Sequence, residues 1–584
     1  MAVTSDLPET ATDGVTVSHQ EGRTAIRLLG VREEALQTGR NRVVVAGLIF
    51  AMLFLALAVR LTDLTVLREA DPNLLAHRGA VAEQTTRRAD IVDRNGVLLA
   101  TDLRTASLAA DPKLLLSAES TATALVRIFP ELSQPALLKK LTGETRFVWI
   151  KRHLTPRQQH AANALGMPGL KFVKEWHRVY PHGSLAAHVV GYTDVDGKGI
   201  AGVEKSFNTE LAYGGDADFP LHLSIDVRVQ HALRDELHQA MTRFGAAGAA
   251  GVVMDANSGE LLALTSLPDF DLNHPGSAPE ASRFNRTSLG VYELGSVFKL
   301  FTAAMALDSG VVDLSGGFDA SKPIHISRFT IRDDHAKNRW LSVPEIVAYS
   351  SNIGAAKMAM AVGADAQRDY LDRFGLLRPS SLELPEIGSP LSPVRWRDIN
   401  VMTVAFGHGV AVSPLQLGSG ISALVNGGIM VPPTLLKRSP DMPVVGTRVV
   451  SRRTSDQLRR LMRLVVAEGT GGKADVTGYL VGGKTGTAEK AGHRGYRRTA
   501  LLSSFVAAFP MNKPKYVVYV LLDEPNGTKD TFGFASAGWT AAPTAGRVIA
   551  RIAPLLDVAP ADATTTANAL DISLQKRERK SETF

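Results

Sequence analysis

The sequence predicts an α+β protein: one antiparallel sheet covered by helices, set behind an elongated mixed region and a single N-terminal membrane helix. Three observations carry this. Residues 43–59 read VVVAGLIFAMLFLALAV, a run with no charge, polar amide or proline. From about Pro220 the chain opens helix, strand, strand and closes strand, strand, with a mostly helical middle. That order suits hairpins of one sheet packed upon by helices.

The apolar run of residues 43–59 is long enough to span a bilayer, which takes ~17–25 residues. Arg42 and Arg60 bracket it and can reach the two interfaces. A buried core helix and a cleaved signal peptide compete with this reading, the latter because Ala56-Leu57-Ala58 resembles a cleavage site. The 42 residues ahead of the run are too many for a signal peptide of ~15–30 residues, which favours an uncleaved signal-anchor. Arg23, Arg27, Arg32, Arg40 and Arg42 precede the span closely, against Arg60, Arg68 and Arg78 after it. The bias puts the N-terminus inside and everything after residue 60 outside the cytoplasm.

Residues 61–218 form a mixed region. In it, residues 89–100 read as two short strands around the Asn95-Gly96 turn. Leu221–Ile225 alternates as a strand. Val227–Phe244 has helical spacing, with Val229, Leu233, Leu237 and Met241 on one face. Ala249–Asp255 and Leu261–Ser266 are apolar strands joined by turn residues, and Ser503–Phe509 and Tyr516–Leu522 form a second pair. The expected domains are a cytoplasmic tail (1–42), the anchor (43–60), a non-catalytic pedestal (61–218), a catalytic domain (219–557) and a loose tail (558–584).

The composition excludes several functions. With no cysteine there are no disulfides, thiolate metal sites or thiol nucleophiles. Lys+Arg at 65 against Asp+Glu at 58 is too small an excess over 584 residues to argue for nucleic acid.

Three motifs carry chemistry. Ser296-Val297-Phe298-Lys299 opens a run, Leu300–Leu307, that is apolar nearly all round, so the helix is buried. The spacing of three puts Ser296 and Lys299 on one face. The serine then has an amine beside it to take its proton, and its own N–H points toward a developing oxyanion. Apolar surroundings weaken the amine's hold on a proton, making Lys299 a base. Ser350-Ser351-Asn352 follows a helix begun by the capping box Ser342-Val343-Pro344-Glu345. Ser350 is placed to relay a proton and Asn352 to bind a substrate amide. Gly483-Lys484-Thr485-Gly486-Thr487 continues a strand started by Leu480 and Val481. Its glycines keep a groove clear for an extended ligand, which could add as a strand along that edge. Lys484 supplies a charge expected to be permanent, and Thr485 and Thr487 supply hydroxyls. A polar helix cap, a loop and a Gly-rich turn are the plain readings of each motif alone. A phosphate loop fails because Tyr479 stands where its first glycine belongs.

Together and in this order, the three motifs resemble those of the class B penicillin-binding proteins, the membrane-anchored D,D-transpeptidases of peptidoglycan synthesis. Residues 88–96 resemble the family's N-terminal motif. Arg178–Pro181, Ala187–Tyr192 and Gly202–Glu204 resemble its linker motifs, and Phe406–Gly409 with Ser413–Gln416 a catalytic-domain segment. Residues 147–156 and 483–490 are most similar to the cell-division FtsI type. Leu294 departs from the family's usual proline before Gly-Ser, and Ser351 is tolerated. The resemblance implies a penicillin-binding/β-lactamase-like transpeptidase fold with Ser296 as nucleophile, Lys299 as base and Ser350 as proton shuttle. Asn352 would hold the stem peptide, and Lys484, Thr485, Gly486 and Thr487 would bind its carboxylate. The N–H groups of Ser296 and Thr487 would form the oxyanion hole. No metal or organic cofactor is implied. The implied partners are donor and acceptor stem peptides, β-lactams, the membrane, and a SEDS-type glycosyltransferase with other division proteins. The implied place is the inner membrane, with one span and the catalytic domain periplasmic. An elongation-type transpeptidase, a D,D-carboxypeptidase and a division scaffold are the alternative functions. A β-lactamase fits poorly with the anchor and the long region before the catalytic part.

Overall fold

A computed structural model describes residues 31–62, 87–213, 219–326, 329–492 and 495–561. The segment Met1–Glu83 and the segment Gln84–Phe584 are separate compact units.

In the first unit, one helix runs Val31–Thr62, and its stretch Arg42–Leu61 is long and apolar enough to cross a membrane. The helix begins twelve residues before the apolar run, so the residues just ahead of the span are helical rather than an irregular tail. Its apolar side chains from Val43 to Val59 are exposed, as a lipid-facing helix requires.

The second unit begins with a small sheet. Strands β1 (Ile91–Val92) and β2 (Leu98–Ala110) flank the Asn95-Gly96 turn, where Gly96 takes a φ of 87°. The Asp93 carboxylate accepts from the Asn95, Val97 and Val227 N–H groups, tying this turn to the helix Val227–Arg243. Strands β3 (Val148–Leu154) and β4 (Leu170–Val179) pair antiparallel with β2. Leu108, Ile150 and Leu154 bury one face of this sheet under the helices Ala118–Ile128, Gln134–Leu141 and Pro156–Ala164. The strand expected over residues 221–225 is only β5 (Leu221–His222), and it pairs parallel with β1. It closes the pedestal sheet instead of opening the catalytic one.

A buried charge network holds the pedestal's far side. Glu204, fully buried, receives Nε of Arg88 and Nε of Arg178, each at 2.7 Å. Arg178 also donates to Asp102 at 3.2 Å, and Asp102 accepts the Arg88 backbone N–H at 2.7 Å. Two guanidinium groups against two carboxylates leave no net charge to desolvate, which makes the burial tolerable.

The catalytic sheet contains β6 (Gly248–Asp255), β7 (Leu261–Leu267), β14 (Gly482–Gly492), β15 (Gly495–Phe509) and β16 (Tyr516–Asp523). Small two-stranded ribbons lie between them in sequence: β8 (Gly317–Asp319) with β11 (Trp340–Ser342), β9 (Ile324–Ile326) with β10 (Phe329–Ile331), and β12 (Ile429–Met430) with β13 (Thr447–Arg448). The order is β14-β15-β16-β6-β7, every pair antiparallel. Both faces are covered, so the strands read as continuous apolar runs. Val253, Val518 and Val520 meet Val229, Leu233 and Leu237 of the helix Val227–Arg243 and Ile549 and Ile552 of the helix Ala541–Leu555. Val252, Met254 and Tyr519 belong to the opposite core, with Leu415 and Ile421 of the helix Pro414–Val425 and Leu300, Phe301 and Leu307 of the helix Lys299–Asp308. Val558 is buried and the Ala561 N–H donates to Gly478, so the chain stays packed to residue 561; the rest of the expected loose tail lies outside the described residues.

Truncating Glu204 should expose the cost of the pedestal network. Glu204→Ala leaves two buried guanidinium groups facing one carboxylate, a loss of about 3–5 kcal/mol. Thermal unfolding of the detergent-solubilised chain should show a clear drop. An unchanged melting temperature would mean that the network is not a structural support.

Candidate active site

Ser296 lies in a 3-10 turn, Gly295–Phe298, that runs directly into the helix Lys299–Asp308. Every side chain from Lys299 to Leu307 is buried, as the all-round apolar pattern predicts. The turn is held by close backbone approach. A Cβ on Gly407 would lie 2.3 Å from the Gly295 oxygen, and one on Gly486 would lie 2.5 Å from the Leu294 oxygen. Only glycine admits these contacts, so the segments around Gly407 and Gly486 clamp the Ser296 turn from two sides.

Ser350 sits between the helices Val343–Ala348 and Asn352–Val362. The first carries the expected capping box between Ser342 and Glu345, and the second is capped by Ser351, which accepts the Gly354 N–H at 2.9 Å. Ser350 has a φ of 60°, in the left-handed region that non-glycine residues rarely enter. Such strain persists only where the surroundings over-determine it. Lys484 comes from β14, the edge strand, opposite Val506 of β15.

These three segments bring four polar groups into one chain. Lys299 Nζ lies 3.0 Å from Ser296 Oγ and 3.0 Å from Ser350 Oγ, and it donates to the Ser350 carbonyl at 2.5 Å. Lys484 Nζ approaches Ser350 Oγ from the other side, also at 3.0 Å. It further contacts Thr485 at its carbonyl (3.2 Å) and hydroxyl (3.3 Å). The Thr485 hydroxyl is shared with Thr470 at 2.8 Å. Thr487 Oγ1 accepts the Ala537 N–H at 3.1 Å, which keeps the hydroxyl proton available to a ligand. Asn352 is half-buried and spends its amide N–H on the Arg332 carbonyl at 2.9 Å, leaving its own carbonyl oxygen to accept.

Both amines are fully buried, with relative exposures of 1% for Lys299 and 0% for Lys484. Burial pushes Lys299 down to about 7, against the pull of the Asp333 and Asp334 carboxylates. Burial also pushes Lys484 well below the usual lysine range, and the nearby Lys299 charge adds to the shift. The expectation that Lys484 keeps a permanent charge is therefore corrected for the ligand-free site. Lys484 has like charge beside it, and among the described residues no carboxylate offsets its desolvation.

Sequence reasoning missed Asp333. It accepts the Ser351 hydroxyl at 2.7 Å and the Ile353 N–H at 2.9 Å, and its charge supports protonated Lys299. It follows the last residues of a short strand, and no motif spacing announces it. Glu293 was missed likewise: it accepts the Gly409 N–H at 3.0 Å and the Tyr496 hydroxyl at 2.9 Å, joining three segments at the rim. Among the described residues no group of three or more His, Cys, Asp or Glu side chains could hold a metal ion.

A serine whose proton can pass through one buried amine and a second hydroxyl, beside a sheet edge open to an extended ligand, defines a serine acyltransferase acting on peptides. A family model for the penicillin-binding protein transpeptidase domain matches residues 249–545, and one for the penicillin-binding protein dimerisation domain matches residues 83–212. A probable peptidoglycan D,D-transpeptidase FtsI of Caulobacter vibrioides is 44% identical over 81% of this chain and 82% of its own length. The peptidoglycan D,D-transpeptidase FtsI of Escherichia coli is 30% identical over 91% of this chain and 95% of its own. Among solved structures, penicillin-binding protein 3 of Mycobacterium tuberculosis in complex with aztreonam is similar in fold, with a TM-score of 0.65, 24% identity and coverage of 82% of this chain and 98% of that one. The chain belongs to the penicillin-binding proteins, the peptidoglycan D,D-transpeptidases.

Burying two amines has a stability consequence with a definite sign. Lys299 binds its proton less tightly when folded than when unfolded, near 10.4. Between about pH 7 and 10.5 the unfolded chain therefore holds more protons, and stability rises with pH. Lys299→Met removes this penalty. The variant should melt above the parent at pH 7.5, and the difference should shrink as pH rises toward 10. A gap that stayed constant with pH would contradict a depressed Lys299.

Proposed function

We propose that this chain is a membrane-anchored serine D,D-transpeptidase that cross-links peptidoglycan stem peptides through an acyl-enzyme on Ser296, in septal wall synthesis. The observation that carries the chemistry is the unbroken run Ser296 Oγ, Lys299 Nζ, Ser350 Oγ, Lys484 Nζ, each step 3.0 Å. Neutral Lys299 takes the hydroxyl proton as Ser296 Oγ attacks the carbonyl between the two D-alanines. The Ser296 and Thr487 N–H groups receive the charge that develops on the carbonyl oxygen. The C–N bond breaks, the proton passes through Ser350 to the leaving amine, and D-alanine departs. The amine of a second stem peptide then attacks the ester carbonyl, its proton returning through the same groups to Ser296 Oγ.

The ligand's terminal carboxylate sits against Lys484, Thr485 and Thr487, its donor backbone along the unpaired edge of β14, and Asn352 accepts from the peptide. A β-lactam presents a strained amide and a carboxylate in the same arrangement, so it acylates Ser296. The arginine bias around the anchor supports a cytoplasmic N-terminus, and similarity to proteins named FtsI supports a division role beside a SEDS-type glycosyltransferase.

A fluorescent penicillin should label the parent covalently and leave Ser296→Ala unlabelled; labelling at another residue would overturn the assignment. The acylation rate should rise with pH through about 7 as Lys299 loses its proton. Asp333→Asn removes a charge that holds that proton, so the rising limb should move to lower pH. An unmoved limb would separate Asp333 from the base, and Lys299→Ala should slow acylation by ~10²–10⁴-fold.

A further inference from the structure

We propose that the cavity where the pedestal meets the catalytic part is a binding site for a small organic cation, an ammonium, amidinium or guanidinium group on a flat apolar body. The cavity has a volume of about 390 Å³, within the usual range for small-molecule sites of ~300–1,000 Å³. Its walls come from both parts: Tyr192 and Ile200 from the pedestal, Phe270, Phe284 and Glu386 from the catalytic side. It does not share residues with the Ser296 site.

The chemistry of the walls selects the ligand. Phe270 meets Tyr192 edge-on with ring centroids 5.9 Å apart and His188 edge-on at 5.6 Å, so aromatic surface surrounds the space. Aromatic faces attract cations, most strongly where water is excluded. Glu386 contributes a half-buried carboxylate there, which receives the Gly202 N–H at 3.3 Å on both oxygens and its own backbone N–H. An ionised carboxylate can accept about four hydrogen bonds, so two backbone donors leave it room for a ligand's N–H groups. Burial pushes Glu386 up, against the Gly202 N–H, its own N–H and the Lys205 charge, and a bound cation would oppose that rise.

Two cations, Lys205 and Arg283, lie near the position, and neither forms an ion pair with Glu386 among the described residues. His188 is placed 2.8 Å from the Ser282 carbonyl, which fixes its proton on Nε2, and burial pushes it down to about 4, so it is neutral at pH 7. Glu280 and Arg283 on the wall are exposed and of opposite sign. An amidinium on a ring can lay its face against one of Phe270 and Tyr192, with its edge toward the other, and offer two parallel N–H groups to Glu386. Because the walls come from both parts of the chain, such a ligand stabilises their packing against each other by mass action.

Benzamidine is the probe, titrated calorimetrically into the detergent-solubilised full chain. The expected result is saturable binding that weakens about tenfold or more in Glu386→Gln, since a charge-assisted pair becomes a neutral one. Ile200→Trp, a change at an exposed position on the wall, should obstruct the space and weaken binding independently. Benzoate, with the same ring and the opposite charge, should not displace benzamidine, and Ser296→Ala should bind it like the parent. No binding at about 10 mM benzamidine, equal affinity in both wall variants, or loss of binding in Ser296→Ala would each overturn the proposal.

Discussion

Two lysine amines buried on either side of one serine hydroxyl are the constraint on which the site depends. An ammonium taken out of water without a counter-ion is costly enough that the group tends to surrender its proton. Lys299 and Lys484 are both enclosed, and each lies 3.0 Å from Ser350 Oγ. Neither amine can hold a proton without penalising the other. The consequence is a site in which the proton on Lys299, beside Ser296, is held loosely, an effect of packing rather than of any base of unusual chemistry.

Much of the surrounding architecture serves to enforce that burial. Lys299 is sealed because its helix is apolar on every side, so no face offers the amine a route to water. Lys484 is sealed by its place on β14, under side chains of β15 and beneath the Ser350 loop. Ser350 reaches between them only in a left-handed conformation, and Asp333 holds the following residues in place through Ser351 and Ile353. Strain, desolvation and close glycine contacts each oppose stability locally. The two apolar layers on the catalytic sheet and the buried ion network of the pedestal offset them at a distance.

Local patterns made part of this legible in advance. The apolar run after Lys299, the Ser342–Glu345 capping box and the unbroken apolar strands each declare their structure within a few residues. The three motifs were readable for the same reason, since each is short and contiguous. What escaped reading depends on contacts distant in sequence. β5 pairs with β1 across about 130 residues, and nothing in Leu221-His222 names that partner. Asp333 acts on Lys299 through a loop whose own sequence looks like solvent-exposed chain. Lys484 was expected to stay charged because its implied work is to attract a carboxylate and support proton transfer. Its burial comes from β15 and the Ser350 loop, which sequence spacing does not place.

That correction changes how the two lysines divide their labour. Had Lys484 been permanently charged, the ligand carboxylate would meet a preformed cation, and binding would not alter the proton inventory. With both amines depressed, the carboxylate is itself the missing counter-ion. Its arrival beside Lys484 favours the ammonium there, and the repulsion between the two amines then disfavours a proton on Lys299. On the proposed reading, the ligand that Ser296 must attack is also what biases Lys299 toward its basic form. Ser350 Oγ, in contact with both amines, is the path by which the proton can redistribute. A ligand lacking the carboxylate would therefore lose more than an anchoring contact: it would leave the proton between the two amines unassigned, and the base only fractionally available.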